Sequence, residues 1–144
     1  MLKIEINQNI DALREFCRKS NLNKSDDAMI FAKKLISNSL PESNRKVWNS
    51  EVLILPLALS QEEIKDIYNL YEQIDKISKQ YSRLADLFSE IDSFSASLRV
   101  SSENLKVIQD RLTKREKINN QIEKLVLEFK TLIHEITEDR YWWS

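Results

Sequence analysis

The chain of 144 residues contains no glycine. Glycine is the usual residue where the backbone takes a positive φ, in tight hairpin turns and just after helix C-termini. A fold rich in β-strands is therefore not expected. Phosphate-cradling loops and dinucleotide-binding fingerprints are excluded, because both need glycine for close approach of the backbone to the ligand. Few turns and long helices are the natural interpretation, and we predict an all-α fold.

Cysteine, net charge and long apolar runs are also scarce. The single cysteine, Cys17, excludes an internal disulfide and is typical of a reducing compartment. The 22 basic and 23 acidic residues nearly cancel, so we do not expect nucleic acid as a partner. No window approaches the length of about 18 apolar residues that a transmembrane helix needs. These features predict a soluble, intracellular protein without a transmembrane segment.

A long helix is predicted to begin after Ser60. Ser60 and Glu63 form a capping box, in which each side chain can bind the backbone N–H of the other residue. Beyond this cap, apolar side chains recur at alternating steps of three and four residues, which indicates a coiled coil. The members of this first stripe are Ile67, Leu70, Ile74, Ile77, Tyr81, Leu84, Phe88, Ile91 and Leu98.

A second stripe continues the alternation and is interrupted by two polar residues, Arg115 and Asn119. Either these residues are buried and fix the register of the helices, or the stripe widens there and leaves Arg115 exposed. The serine-rich stretch between the stripes favours a bend and an antiparallel helical hairpin; a single continuous helix is the alternative. The apolar members of the second stripe are Leu105, Ile108, Leu112, Ile122, Val126, Phe129, Ile133 and Ile136, widened by Ile118, Leu125 and Leu132.

Residues 1–59 are predicted to form a small N-terminal helical head, and residues 60–144 the coiled-coil or hairpin region. Ser25 is the expected N-cap of one short helix, and the alternation at residues 2–6 resembles a strand. The apolar run "VLILPLAL" at residues 52–59 contains Pro56, which disfavours a helix. We interpret it as an extended strap that either packs into the core or forms a docking strip for another subunit.

Residues suited to catalysis or metal binding do not form a recognisable set. His134 and Glu138 resemble part of an HExxH zinc motif, but Glu138 stands where the second histidine would be. Cys17 lies on an apolar helix face, where a buried, inert thiol is expected. We therefore predict no catalytic residue, no metal, no cofactor and no small-molecule substrate.

The apolar stripes are instead candidates for contacts with other helical proteins, in a homo-oligomer or a hetero-oligomer. The aromatic C-terminal stretch either folds back on the hairpin or anchors a partner, since tryptophan is enriched in interface hot spots. A third alternative, contact with a membrane surface, is disfavoured by the acidic Glu138 and Asp139 beside it. We expect the rod to expose an apolar stripe that requires a partner, so that the chain is not stable as a bare monomer. The alternative is that the head folds down the rod and covers that face in a closed bundle. The predicted interface residues are Ile67, Leu70, Ile74, Ile77, Tyr81, Leu84, Phe88, Ile91, Ile122, Leu125, Phe129, Leu132, Ile136, Trp142 and Trp143.

In composition and heptad pattern the chain is similar to small helical subunits of eukaryotic assemblies, such as kinetochore or Mediator components. That similarity includes no diagnostic motif, so it transfers no residue roles. The first functional hypothesis is a non-enzymatic structural or scaffolding subunit that acts through coiled-coil contacts. The alternative is a self-contained helical-bundle adaptor or regulator that acts as a monomer or homodimer.

Overall fold

The computed structural model describes residues 1–100 and 105–138, without the side chains of residues 94–100 and 138. This part of the chain contains five α-helices, one short 3₁₀ turn and no strand, which confirms the all-α prediction. Residues 2–6, which resembled a strand, belong to the first helix. The elements are α1 Leu2–Lys19, α2 Ala28–Ile36, α3 Lys46–Glu51, the 3₁₀ turn Leu55–Leu57, α4 Gln61–Val100 and α5 Leu105–Glu138.

The two long helices, α4 and α5, form an antiparallel hairpin. The amide Nε2 of Gln73 donates to Glu135 at 3.0 Å, and that of Gln80 donates to Glu128 at 2.9 Å. As the residue number on α4 rises by seven, the number of its partner on α5 falls by seven. The two helices therefore run antiparallel. The single continuous helix is therefore wrong, although the predicted bend includes residues 101–104, which lie outside the described part of the chain.

The predicted capping box at the start of α4 is present. The backbone N–H of Glu63 donates to Ser60 Oγ at 3.2 Å, and the N–H of Ser60 reaches the Glu63 carboxylate at 3.4 Å. For α2 the predicted cap was wrong. Asp27, not Ser25, accepts the N–H of Ile30, at 2.9 Å. Ser25 instead binds the side chain of Asn23 in the preceding loop.

The end of α1 shows how the chain turns without glycine. Asn21 takes the left-handed conformation with φ 54°, a role that asparagine tolerates better than most residues. The N–H of Leu22 binds the carbonyl of Cys17, and the N–H of Asn21 binds that of Arg18, both at 3.1 Å. This pair of bonds is a Schellman motif. It satisfies carbonyl groups at the helix end and directs the chain towards α2.

The N-terminal helices pack along the hairpin. Phe16 of α1 meets Tyr81 of α4 edge-to-face at 6.2 Å, and Phe31 of α2 meets Phe129 of α5 at the same distance. Lys130 Nζ also donates to the carbonyl oxygens of Lys24 at 3.0 Å and of Asp26 at 2.8 Å. The head therefore covers the apolar stripe over the half of the hairpin that contains the start of α4 and the end of α5. No partner is needed to bury that part of the stripe.

One continuous core joins the two predicted segments. A fully buried leucine or isoleucine contributes about 1.5–3 kcal/mol relative to an exposed one, so this cluster is the main source of stability. The head and the hairpin both contribute to it. Its buried members are Leu2, Ile6, Ile10, Leu13, Phe16, Phe31, Ala32, Leu35, Trp48, Leu55, Ile67, Leu70, Tyr71, Ile74, Ile77, Leu84, Leu87, Phe88, Ile91, Ile118, Ile122, Val126, Phe129 and Ile136.

Candidate protein-interaction surface

A buried carboxylate fixes the segment that leads to the strap. Glu5 of α1 is only 2% exposed. Its oxygens accept the backbone N–H groups of Val47 at 2.7 Å and Trp48 at 2.9 Å, and the hydroxyl of Tyr71 at 2.8 Å. The first two bonds satisfy free N–H groups in the first turn of α3. Glu5 therefore holds α3 against α1 and α4.

A second set of polar contacts holds the chain just before α3. The side chain of Asn9 pairs with the backbone of Asn44 in both directions, at 2.9 Å and 2.8 Å. Arg45 binds the carboxylate of Asp75 and lies over the ring of Tyr71, 5.2 Å from its centroid. These contacts place the start of α3 at a defined level along α4.

Aromatic stacking completes this anchor. Trp48 stacks on Tyr71 with 5.0 Å between ring centroids and meets Tyr68 edge-to-face at 4.7 Å. Burial, together with the hydrogen bond to Glu5, raises the pKa of the Tyr71 hydroxyl far above its ordinary value. Tyr71 therefore remains a hydrogen-bond donor throughout the physiological pH range. The strap that follows α3 begins beside these anchoring contacts.

The strap, residues 52–59, is not extended as predicted but consists of turns around the 3₁₀ turn Leu55–Leu57, which tolerates Pro56 near its start. It turns three of its large apolar side chains outward. Leu55 is buried, but Leu53 and Leu57 are each 89% exposed and Ile54 is 57% exposed. Residues three apart lie on the same side of a 3₁₀ turn, so Ile54 and Leu57 face the same way. We call Leu53, Ile54 and Leu57 the strap surface. Of the two interpretations of the strap, burial in the core holds for Leu55, while the strap surface has the exposure that a docking strip needs.

A groove lies between the strap, the first turn of α1 and the first turns of α4. Its volume is about 240 Å³. Among the described residues that line it, Lys3 and Glu51 carry opposite charges and the others are apolar. We call it the N-terminal groove; the apolar residues are Met1, Leu2, Ile6, Leu55, Ala58, Leu59 and Ile67.

The structure brings most of the predicted interface residues together inside the chain. Tyr81, Leu125 and Leu132 are partly buried against the core, and Leu132 also lines a shallow groove on the outer side of the hairpin. Trp142 and Trp143 lie outside the described residues. The remaining members form buried contacts of the chain with itself: Ile67, Leu70, Ile74, Ile77, Leu84, Phe88, Ile91, Ile122, Phe129 and Ile136.

Of the two interpretations of the polar interruption in the second stripe, the structure supports the one in which Arg115 is exposed. Arg115 lies on the surface, and Asn119 is partly exposed with its Oδ1 atom buried and unpaired among the described residues. This part of α5 lies beyond the region that the head covers. Leu105 and Leu112, also in this part, are exposed. The described residues at this far end of the hairpin therefore leave apolar side chains exposed.

Cys17 and His134 were the residues considered for chemistry, and each has a different environment. Burial raises the pKa of the Cys17 thiol to about 11, which lowers its nucleophilicity at neutral pH. His134 is exposed, and its Nδ1 atom lies 2.7 Å from Lys24 Nζ. In the described part of the chain no three His, Cys, Asp or Glu side chains are grouped so that they could hold a metal ion.

Two parts of this surface were not predicted from the sequence. The buried role of Glu5 was missed because a charged residue is rarely fully buried, and no local pattern distinguishes it. The exposure of Leu53 and Leu57 was open, because an apolar run by itself does not show which side chains face inward. The signal available was Pro56, which prevents the regular alternation of a strand or helix.

Neither the family models nor the characterised proteins and solved structures that were compared with the chain give a match. Among the described residues, no helix has both the length and the apolar character required to cross a membrane.

Proposed function

We propose that this chain is a non-enzymatic helical subunit that binds another protein through the strap surface. The observation that carries the proposal is the outward position of Leu53 and Leu57, each 89% exposed. With Ile54 they expose on the order of 400 Å² of mainly apolar surface, comparable with the largest patches on monomeric proteins, which are often functional. The contacts of Glu5 and Trp48 anchor α3 beside this surface, which should reduce the ordering required on binding.

The partner would be a helical protein with an apolar surface. The strap surface contains no charged side chain and the net charge of the chain is only −1, so electrostatic steering contributes little. Binding should therefore depend weakly on salt concentration. The same lack of a strong positive field argues against nucleic acid as the ligand, and we propose no substrate or cofactor.

The finer proposal is that the partner belongs to an intracellular multiprotein assembly. It is supported by the heptad pattern and the balanced charge, which resemble those of small subunits of eukaryotic assemblies of the kinetochore or Mediator type. In this proposal the buried heptad residues build the subunit, and the strap surface connects it to its neighbour. The far end of the hairpin, with Leu105 and Leu112 exposed, offers a second contact region.

The alternative is a self-contained adaptor that acts as a monomer or homodimer. The observation that favours it is the closed core, which joins head and hairpin within one chain. A homodimer would also use the strap surface, because it is the most exposed apolar region described. The molar mass of the purified protein distinguishes the cases: a mass of 17.0 kDa supports a monomer, and twice that value supports a homodimer.

The test of partner binding compares two matched variants. The double variant Leu53→Ser/Leu57→Ser removes the strap surface, and Leu127→Ser changes another strongly exposed leucine on the hairpin. The wild type and both variants are each expressed in the native host cells and cross-linked to their partners. The cross-linked complexes are purified, and the partners are quantified by mass spectrometry. We expect one set of partners to be lost with the double variant and kept with Leu127→Ser. Equal recovery of every partner from all three proteins would refute the role of the strap surface.

A further inference from the structure

We propose that the N-terminal groove receives an amphipathic helix of another protein, which inserts a large apolar side chain between two ridges of exposed apolar residues. The inference rests on the proposed function and names the part of the partner that is recognised. The first ridge is the strap surface. The second, which we call the α1 ridge, consists of Met1 and Ile4, which are 82% and 60% exposed.

The groove lies between these two ridges. Met1 lines it on the side of α1, and Leu55 and Ala58 line it on the side of the strap. Met1 and Ile4 are three residues apart, so they lie on one side of the start of α1. The volume of about 240 Å³ is below the ~300–1,000 Å³ typical of pockets for small molecules. The groove therefore suits a single leucine or phenylalanine side chain better than a small-molecule ligand.

The exposed area of the two ridges matches that of a protein contact. Their five residues together expose on the order of 700 Å² of mainly apolar surface, close to the ~800 Å² that each partner buries in a complex of standard size. The strap surface alone supplies only about 400 Å² of this. A partner that makes a contact of standard size therefore spans both ridges and covers the groove between them.

One charge of each sign flanks the groove. Lys3 stands on the side of α1, and Glu51 stands on the side of α3 and the strap. In the part of the chain that the structure describes, neither side chain belongs to an ion pair, so both can pair with a partner. The complementary helix carries an acidic side chain on the flank towards Lys3 and a basic one on the flank towards Glu51.

A helix of another protein fits these features better than a second copy of the chain. An amphipathic helix presents apolar side chains at steps of three and four residues, with charged side chains on both flanks, and such helices commonly bind in apolar grooves. A second copy would present the same two ridges. Its 3₁₀ turn, Leu55–Leu57, is too short to run along the groove.

The test measures the binding of three synthetic helical peptides to the purified full chain by fluorescence anisotropy. The peptides share one apolar face of leucine and phenylalanine. Their flanks carry glutamate on one side and lysine on the other, glutamate on both, or lysine on both. We expect the wild type to bind the mixed peptide about two- to fivefold more tightly than the other two, as exposed ion pairs would give. Lys3→Glu should shift the preference to the peptide with lysine on both flanks, and Glu51→Lys to the one with glutamate on both.

The groove itself is tested at Ala58. Ala58→Phe fills the groove and leaves the three residues of the strap surface in place, whereas Ala58→Ser is the matched control that leaves the groove open. We expect Ala58→Phe to weaken the binding of every peptide by about tenfold or more, because a central anchoring side chain carries much of the binding energy of an interface. Circular dichroism shows that each variant is folded.

The outcomes separate this inference from the proposed function. Binding of no peptide, equal binding of all three, or unchanged binding by Ala58→Phe would overturn the inference. Cellular partners that are lost with Leu53→Ser/Leu57→Ser but kept with Ala58→Phe would also overturn it, and the proposed function would stand. A molar mass of twice 17.0 kDa that Ala58→Phe reduces to 17.0 kDa would identify a second copy as the occupant and would overturn the inference as well.

Discussion

Replacement of Glu5 by alanine should destabilise the fold more than any other change of a charged residue on α1. The substitution removes the acceptor of two backbone N–H groups, at Val47 and Trp48, and of the Tyr71 hydroxyl. A buried donor without an acceptor costs about 1–3 kcal/mol, and removal of the buried carboxylate returns part of its desolvation cost. We expect the free energy of unfolding to fall by about 3–5 kcal/mol, a large share of the ~5–15 kcal/mol typical of a whole domain.

Urea unfolding followed by circular dichroism measures this loss. The matched control is Asp11→Ala on the same helix, whose carboxylate is exposed and lies 3.5 Å from Arg14. An exposed pair contributes about 0–1 kcal/mol, so the control should remain close to the wild type. Glu5→Gln keeps one acceptor oxygen and should fall between the two. If Glu5→Ala costs no more than Asp11→Ala, the carboxylate does not anchor α3.

Three other predictions concern the core and its titratable groups. Ile77→Asp places an unpaired charge at a fully buried position and should cost several kcal/mol, whereas Lys76→Asp on the exposed face should not; equal urea midpoints would contradict this. Because the pKa of Cys17 is about 11 instead of 9.0, the folded protein should react with a thiol reagent at about pH 8 roughly 100-fold more slowly than the unfolded chain; similar rates would show an accessible thiol. The hydrogen bond from Lys34 lowers the pKa of Asp26 below its ordinary 3.8. The ionised carboxylate therefore stabilises the fold above pH 3.8, and this stabilisation is lost as pH falls through the lower pKa of Asp26 in the folded protein. Asp26→Asn should therefore weaken the acid dependence of the urea midpoint, and an unchanged pH profile would argue against this.

The heptad pattern predicted most of the buried side chains of the long helices, and the capping box predicted where α4 begins. The pattern failed for Leu105 and Leu112, which are exposed, and it missed Leu87, which is buried. Ile67, Ile77 and Leu84 are buried because they repeat with the period of a helix–helix contact. The pattern could not identify the partner helix. A stripe that packs on the same chain has the same period as one that packs on another protein. The covering of the stripe by α1 and α2 depends on contacts between residues far apart in sequence, such as Phe31 and Phe129.

The candidate surface was less predictable for a related reason. Its shape depends on a buried carboxylate, Glu5, and on a 3₁₀ turn at Pro56, and neither has a periodic signal. The sequence showed an apolar strap and left open whether it faced the core or a partner. Only the position of α3 on α1 and α4 decides that Leu55 points inward while Leu53 and Leu57 point outward.

Unfolding by urea at protein concentrations that differ by a factor of about one hundred tests most directly whether the apolar stripe is buried within a single chain. A fold whose core is closed by its own head unfolds as a monomer at a midpoint that does not depend on concentration. We predict the same midpoint at every concentration for the wild type and for Leu53→Ser/Leu57→Ser. A midpoint that falls steadily on dilution, together with loss of helix at low concentration, would show that the stripe is buried only between chains and would contradict the internal core.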